Sequence, residues 1–107
     1  MSTWIYFLHP PRDNFAVTMT DAEKAVWNRH FEWLQGLFDR GVLLLAGPTG
    51  GNINTGIAIF EAVDEQSARR TIAHDPVTNA GYAEGELRPL DVGLLRDRHA
   101  SGPASAQ

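Results

Sequence analysis

The sequence predicts a small α+β domain, a four-stranded antiparallel sheet with two helices on one face. Three observations predict it. The 107 residues suffice for one domain with its own core. Short apolar runs alternate with two helix-length amphipathic or capped segments in the order β-α-β-β-α-β. Gly and Pro clusters separate those segments, and no internal repeat interrupts the order.

The first strand is expected over residues 3–9, where Trp4, Ile5, Tyr6, Phe7 and Leu8 form an unbroken run of aromatic and aliphatic side chains. Pro10 and Pro11 end it, and residues 12–19 read as a connecting loop. Thr20 opens the first helix, with Glu23 three positions on to complete a capping box and Asp21 in the first turn. That helix runs to about residue 40, ahead of Gly41 as its C′ residue, and carries Trp27, Phe31, Leu34, Leu37 and Phe38 at amphipathic spacing. A second strand covers residues 42–46 and is closed by Gly47-Pro48; Gly50-Gly51-Asn52 supplies turn chemistry, and a third strand covers 55–62. Asp64 caps a second helix over about 65–73, broken by Asp75-Pro76, with a turn or further helical turn on to Gly81. The last strand is expected over about 86–96, and the Ser/Ala/Gly/Pro-rich residues 99–107 as a disordered tail after a domain spanning 1–98. Right-handed crossovers place both helices on one face, the ferredoxin-like arrangement.

The strands are apolar on both faces. Trp4, Tyr6 and Leu8 oppose Ile5 and Phe7, Val42 to Leu45 are apolar throughout, Ile57 and Ile59 oppose Ala58 and Phe60, and Leu90, Val92 and Leu94 oppose Leu95. Two helices cover one face only. Each apolar side chain left wet forgoes roughly 1.5–3 kcal/mol, so a second copy packed sheet to sheet, a dimeric α+β barrel, is expected.

Composition excludes several classes. The net charge is −4 and the basic residues are scattered, without the basic, aromatic-interleaved stripe that nucleic acid requires. There is no cysteine, hence no disulfide, thiolate metal site or cysteine nucleophile. The start of the chain lacks the pattern of a signal peptide, and the apolar run at 42–46 is too short to span a bilayer, so cytoplasmic residence and no membrane partner are expected. The Gly-rich segment at 47–51 lacks the Lys-Ser/Thr ending of a phosphate loop, no nucleophilic serine motif is present, and no His pair has metal-ligand spacing.

His30 lies between Trp27 and Leu34 on the sheet-facing stripe of the first helix. An imidazole there needs a partner. Asp75, where the second helix stops, can supply one, since the two helices run side by side. A carboxylate on one ring nitrogen fixes the tautomer and leaves the other nitrogen to move a proton. The residues are equally read as a hydrogen-bonded core histidine and a helix-end aspartate shaping an Asp-Pro turn. His9 either lines the mouth of a pocket or satisfies a loop carbonyl. Arg12 is either a binder of an anionic substrate or a solvated loop charge. His74, near a helix C-terminus, reads as a charge favoured there.

The chain resembles the YciI-like (YCII-related) family of small dimeric α+β barrel proteins over residues from about 4 to 96. The resemblance rests on Leu8-His9-Pro10-Pro11-Arg12, Met19-Thr20, His30 followed by Trp33-Leu34, Leu45-Ala46-Gly47-Pro48, Asp75-Pro76, Gly81 and Glu86-Leu87-Arg88-Pro89 in that order. It implies an active site built from a helix histidine and the aspartate of the Asp-Pro turn, here His30 and Asp75. It further implies a cofactor-independent lyase or isomerase acting on ring compounds, in the manner of dehydrochlorinases and muconolactone isomerases. The alternatives that stay open are a non-catalytic small-ligand binding or regulatory module, and a monooxygenase-like member of the wider superfamily.

Overall fold

The computed structural model describes residues 1–96. Its elements are β1 (Ser2–His9), α1 (Phe15–Thr18), α2 (Asp21–Asp39), β2 (Leu43–Pro48), β3 (Gly56–Ala62), α3 (Glu65–Ile72), α4 (Pro76–Asn79) and β4 (Glu84–Pro89). The strands form one antiparallel sheet in the order β2-β3-β1-β4, the ferredoxin-like arrangement. The expected tail at 99–107, and the end of the domain assigned to 1–98, lie outside the described residues.

The period-2 pattern of β1 sets the layers. Trp4, Tyr6 and Leu8 face the helices and are buried, joined by Ala58, Phe60 and Ala62 from β3, Val26 and Leu37 from α2, and Ala68 from α3. The caps explain where the helices begin. Thr20 Oγ1 accepts from the Glu23 N–H at 3.1 Å while the Glu23 carboxylate accepts from the Thr20 N–H at 2.8 Å, completing the expected capping box. Asp64 accepts from the Ser67 N–H at 2.8 Å and opens α3. Past the end of α2 the chain turns through Gly41 at φ 76, a left-handed conformation that glycine adopts without strain.

The structure corrects the sequence reading in four places. Residues 12–19 contain the short helix α1, which Asn14 opens at φ 56 while its N–H donates to the Asn52 carbonyl. On β2 the register shifts between Leu43 and Leu45, so Leu44 and Leu45 are 44% and 49% exposed at the sheet edge rather than both sheltered. On α2, Phe31 and Phe38 are exposed, while Leu37 of the expected stripe is buried together with Val26, and Trp27 and Leu34 pack against the core. The largest difference is β4, which ends at Pro89 instead of running to residue 96. Pro89 pairs with Trp4, and Leu90 donates its N–H to the Thr3 carbonyl. Beyond that point β1 has almost no residues left to pair with, and Leu94 and Leu95 stand exposed off the sheet.

The second face of the sheet is therefore apolar over β1 and β3 and at the β2 edge, where Leu45 lies opposite Ile59. Ile5 and Phe7 lie beside Ile59 and Ile57, half-buried in the single chain. The β4 residues on that face are Glu84, Glu86 and Arg88, a charged margin in place of the expected apolar one. Among the described residues no helix is long and apolar enough to cross a membrane.

A candidate active site between the long helix and the sheet

Asp75 is the centre of the site. It is fully buried and stands at the N-cap of α4, with Pro76 at the first helical position. Its Oδ1 accepts from the Val77 N–H at 2.9 Å, which caps the helix, and also meets His30 Nδ1 at 2.8 Å. Its Oδ2 accepts from the Tyr6 hydroxyl at 2.7 Å. Three donors from three elements thus hold one carboxyl group. Burial pushes that carboxyl upward, but the bond and charge of His30, the Tyr6 hydroxyl and the Val77 N–H outweigh burial and hold it below the usual aspartate range. Burial pushes the Tyr6 phenol far above its ordinary value, and the neighbouring carboxylate adds to the rise, so the phenol stays a donor.

Since an ionised carboxylate only accepts, His30 Nδ1 carries the proton of the shared bond. In the neutral ring Nε2 is then the nitrogen with the lone pair, and it has no protein partner among the described residues. The ring sits between two indoles, its centroid 6.4 Å from Trp27 and 5.7 Å from Trp33. Trp33 meets Tyr6 edge-on at 6.3 Å. The His30 side chain keeps 13% of its surface and lines a cavity of about 740 Å³ between α2, β2 and the centre of the sheet. The walls are mainly apolar, among them Trp27, Leu34, Leu43 and Ala58, and Phe31 and Phe38 form an exposed apolar lip. Lys24, Asn28, Gln35 and Asn54 supply the other polar points of the lining.

The structure therefore brings His30 and Asp75 together and leaves His9 and Arg12 apart from them. His9 Nε2 lies 2.9 Å from the Glu86 carboxylate on the other face of the sheet, its ring stacked on Phe7. The Arg12 guanidinium clasps the Glu23 carboxylate through two bonds of 2.8 Å and also binds Thr18, beside the Phe15 ring. That clasp and the capping bond bring the Glu23 carboxyl down to about 2. Neither His9 nor Arg12 lines the cavity.

Tyr6 is the site residue that pattern reading missed, because it counts as one more apolar position in β1. The available signal is that a tyrosine facing a core must find a partner for its hydroxyl. Gly85 is a second. A Cβ there would lie 2.7 Å from the Tyr6 ring and 2.9 Å from its hydroxyl, so glycine in β4 makes the room in which Tyr6 reaches Asp75. Among the described residues no three His, Cys, Asp or Glu side chains gather as a metal ion would need.

Comparison with known proteins adds the following. The YCII-related domain family matches residues 3–91. The fold is similar to that of 5-chloro-2-hydroxyhydroquinone dehydrochlorinase (TftG) from Burkholderia phenoliruptrix AC1100, solved in complex with 2,5-dihydroxybenzoquinone. The TM-score is 0.64 at 20% sequence identity, over 87% of this chain and 96% of that one. Comparison with curated protein sequences gives no significant match.

Proposed function

Since the chain belongs to the YCII-related domain family, we propose that it is a cofactor-independent lyase or isomerase of small ring compounds, with His30 as general acid/base and Asp75 as its orienter. One observation carries the reading: an imidazole whose Nδ1 is locked by a fully buried carboxylate stands in the wall of a roomy, largely apolar cavity with Nε2 unengaged. The likeness in fold to a dehydrochlorinase supports the substrate class.

The chemistry follows from the geometry. Nε2 takes a proton from a ring hydroxyl, or from a ring carbon beside a carbonyl. The electron pair left behind moves into the ring. In an elimination the imidazolium returns that proton to the chlorine-bearing ring carbon, and loss of a second hydroxyl proton to Nε2 then drives chloride out with its bonding pair, so that the ring loses HCl and is left as a quinone. In an isomerisation the imidazolium returns the same proton to another ring carbon. Asp75 stabilises the imidazolium without leaving its place, because Tyr6 and the Val77 N–H hold its remaining lone pairs. The indoles of Trp27 and Trp33 keep water from the ring faces and strengthen these interactions.

The test is chloride release from 5-chloro-2-hydroxyhydroquinone and related halogenated hydroxylated rings. The wild type is expected to turn over at least one of them, and His30→Gln to lose roughly 10²–10⁴-fold in rate. A His30→Gln variant with the full rate on an accepted substrate contradicts the reading. The second reading, a non-catalytic binding module, is favoured by the double duty of Asp75, whose three bonds also cap α4 and tie it to the sheet. It predicts ligand binding in the cavity with no turnover.

We infer a homodimer as well. The Ile5, Phe7, Ile57 and Ile59 patch is the face on which a second copy packs to form a homodimer, leaving the His30 cavity on the helix side. The protein is taken to be cytoplasmic, which fractionation tests.

A further inference from the structure

A second concavity, of about 620 Å³, opens between α2 and α3. All of its charge is of one sign. Arg40 from the end of α2 and Arg70 from α3 line it, with the imidazole of His74 and the hydroxyls of Ser67 and Thr71, and among the described residues no carboxylate does. This is unexpected in a chain with 13 acidic and 9 basic residues. Arg12 and Arg69 have carboxylate partners, Glu23 and Glu65. Arg40 and Arg70 have none within ion-pair distance among the described residues.

The helix dipole accounts for only part of this. Arg40 stands at the C-cap of α2, where a cation is favoured. Arg70 belongs to the last turn of α3, yet its guanidinium reaches back one turn to the Ser67 hydroxyl at 2.9 Å, away from the carbonyl end that would attract it. Asp64 gains only slight stabilisation from Arg70, because its carboxylate is held by Ser67. Two guanidinium groups lining one cleft, with the Ser67 hydroxyl and an indole wall, match the oxygens of a phosphate group.

We propose that the cleft between α2 and α3 is a second site, separate from the His30 cavity, which binds the phosphate group of a small phosphorylated compound. Arg40 and Arg70 hold the phosphate oxygens, Ser67 and His74 complete the donors, and Trp33 gives the organic part an apolar wall. The bound phosphate lies across Trp33 from the His30–Asp75 pair, since the Trp33 and His30 rings are 5.7 Å apart and His74 directly precedes Asp75.

The test is an NMR titration of the full chain with inorganic phosphate and then phenyl phosphate, at ionic strength held constant with sodium chloride. Saturable shifts are expected at the Arg40 and Arg70 side-chain N–H signals and the Trp33 indole N–H, with phenyl phosphate the tighter of the two. Arg40→Gln and Arg70→Gln are each expected to weaken binding about tenfold, and the double variant to abolish it. Both side chains are exposed, so the variants keep the fold, as their unchanged amide spectra would show. Shifts that chloride reproduces, shifts confined to residues outside the cleft, no saturation with either probe, or unchanged affinity in the double variant would each overturn the proposal. None of these results bears on turnover in the His30 cavity.

Discussion

At Asp75 one buried side chain serves the structure and, in the proposed mechanism, the chemistry together. Capping α4 and orienting His30 use the same oxygen, and Tyr6 takes the other. Removing such a partner leaves an uncompensated buried donor set, so Asp75→Ala is expected to cost about 3–5 kcal/mol in denaturant unfolding. The pH dependence has a definite sign. Because the folded carboxyl is held below its usual range, its contribution is present above the unfolded value and is lost as pH falls through the depressed folded value. Asp75→Asn should flatten that acid limb, and an unchanged limb would show that other carboxylates carry it. Gly85→Ala is expected to displace the Tyr6 ring, lowering activity and stability together, whereas Tyr6→Phe frees one Asp75 oxygen without moving the backbone. Both positions of the His–Asp pair were legible, since a histidine on an apolar stripe and an aspartate before proline each advertise a need for a partner. Tyr6 was not, because a tyrosine in an apolar strand looks like its neighbours.

At the scale of elements, the capped helices followed their local chemistry closely. Thr20 and Glu23 fixed the start of α2, and Asp64 that of α3. Thr20→Ala is expected to destabilise by about 1 kcal/mol in thermal or denaturant unfolding. A larger loss would show that the Arg12–Glu23 clasp depends on the same cap. The strand ends were less legible, because pairing is settled by the partner strand. The apolar run after Pro89 reads as strand by composition, but only Ser2 and Thr3 of β1 remain beyond Trp4, and Thr3 receives just the Leu90 N–H. The bulge at Leu44 and the helix opened by Asn14 likewise depend on contacts distant in sequence, such as the Asn14 N–H bond to Asn52.

For the molecule as a whole, the sheet's two faces divide the work. The helix side holds the cavity and the His30–Asp75 pair. The other side holds Ile5, Phe7, Ile57 and Ile59, bounded by Glu84, Glu86 and Arg88 on β4. A two-fold copy would bury this centre and leave the charges at its rim. The wild type is expected to run as a dimer in light scattering and Phe7→Glu as a monomer with its helix-side core intact. A wild-type monomer at micromolar concentration would contradict the dimer without touching the site. The apolar centre of this face was visible in the alternation of β1 and β3, while its charged margin came to light only once β4 took its register.

The proposed chemistry depends on the state of one ring, and nitrogen-15 NMR of the His30 side chain reads it directly. The neutral ring is predicted to carry its proton on Nδ1, bonded to Asp75, with Nε2 showing the signal of a bare lone pair. Asp75→Asn should remove that preference. A neutral His30 with its proton on Nε2, or a ring indifferent to Asp75→Asn, would contradict the assignment of His30 as the base that faces the cavity.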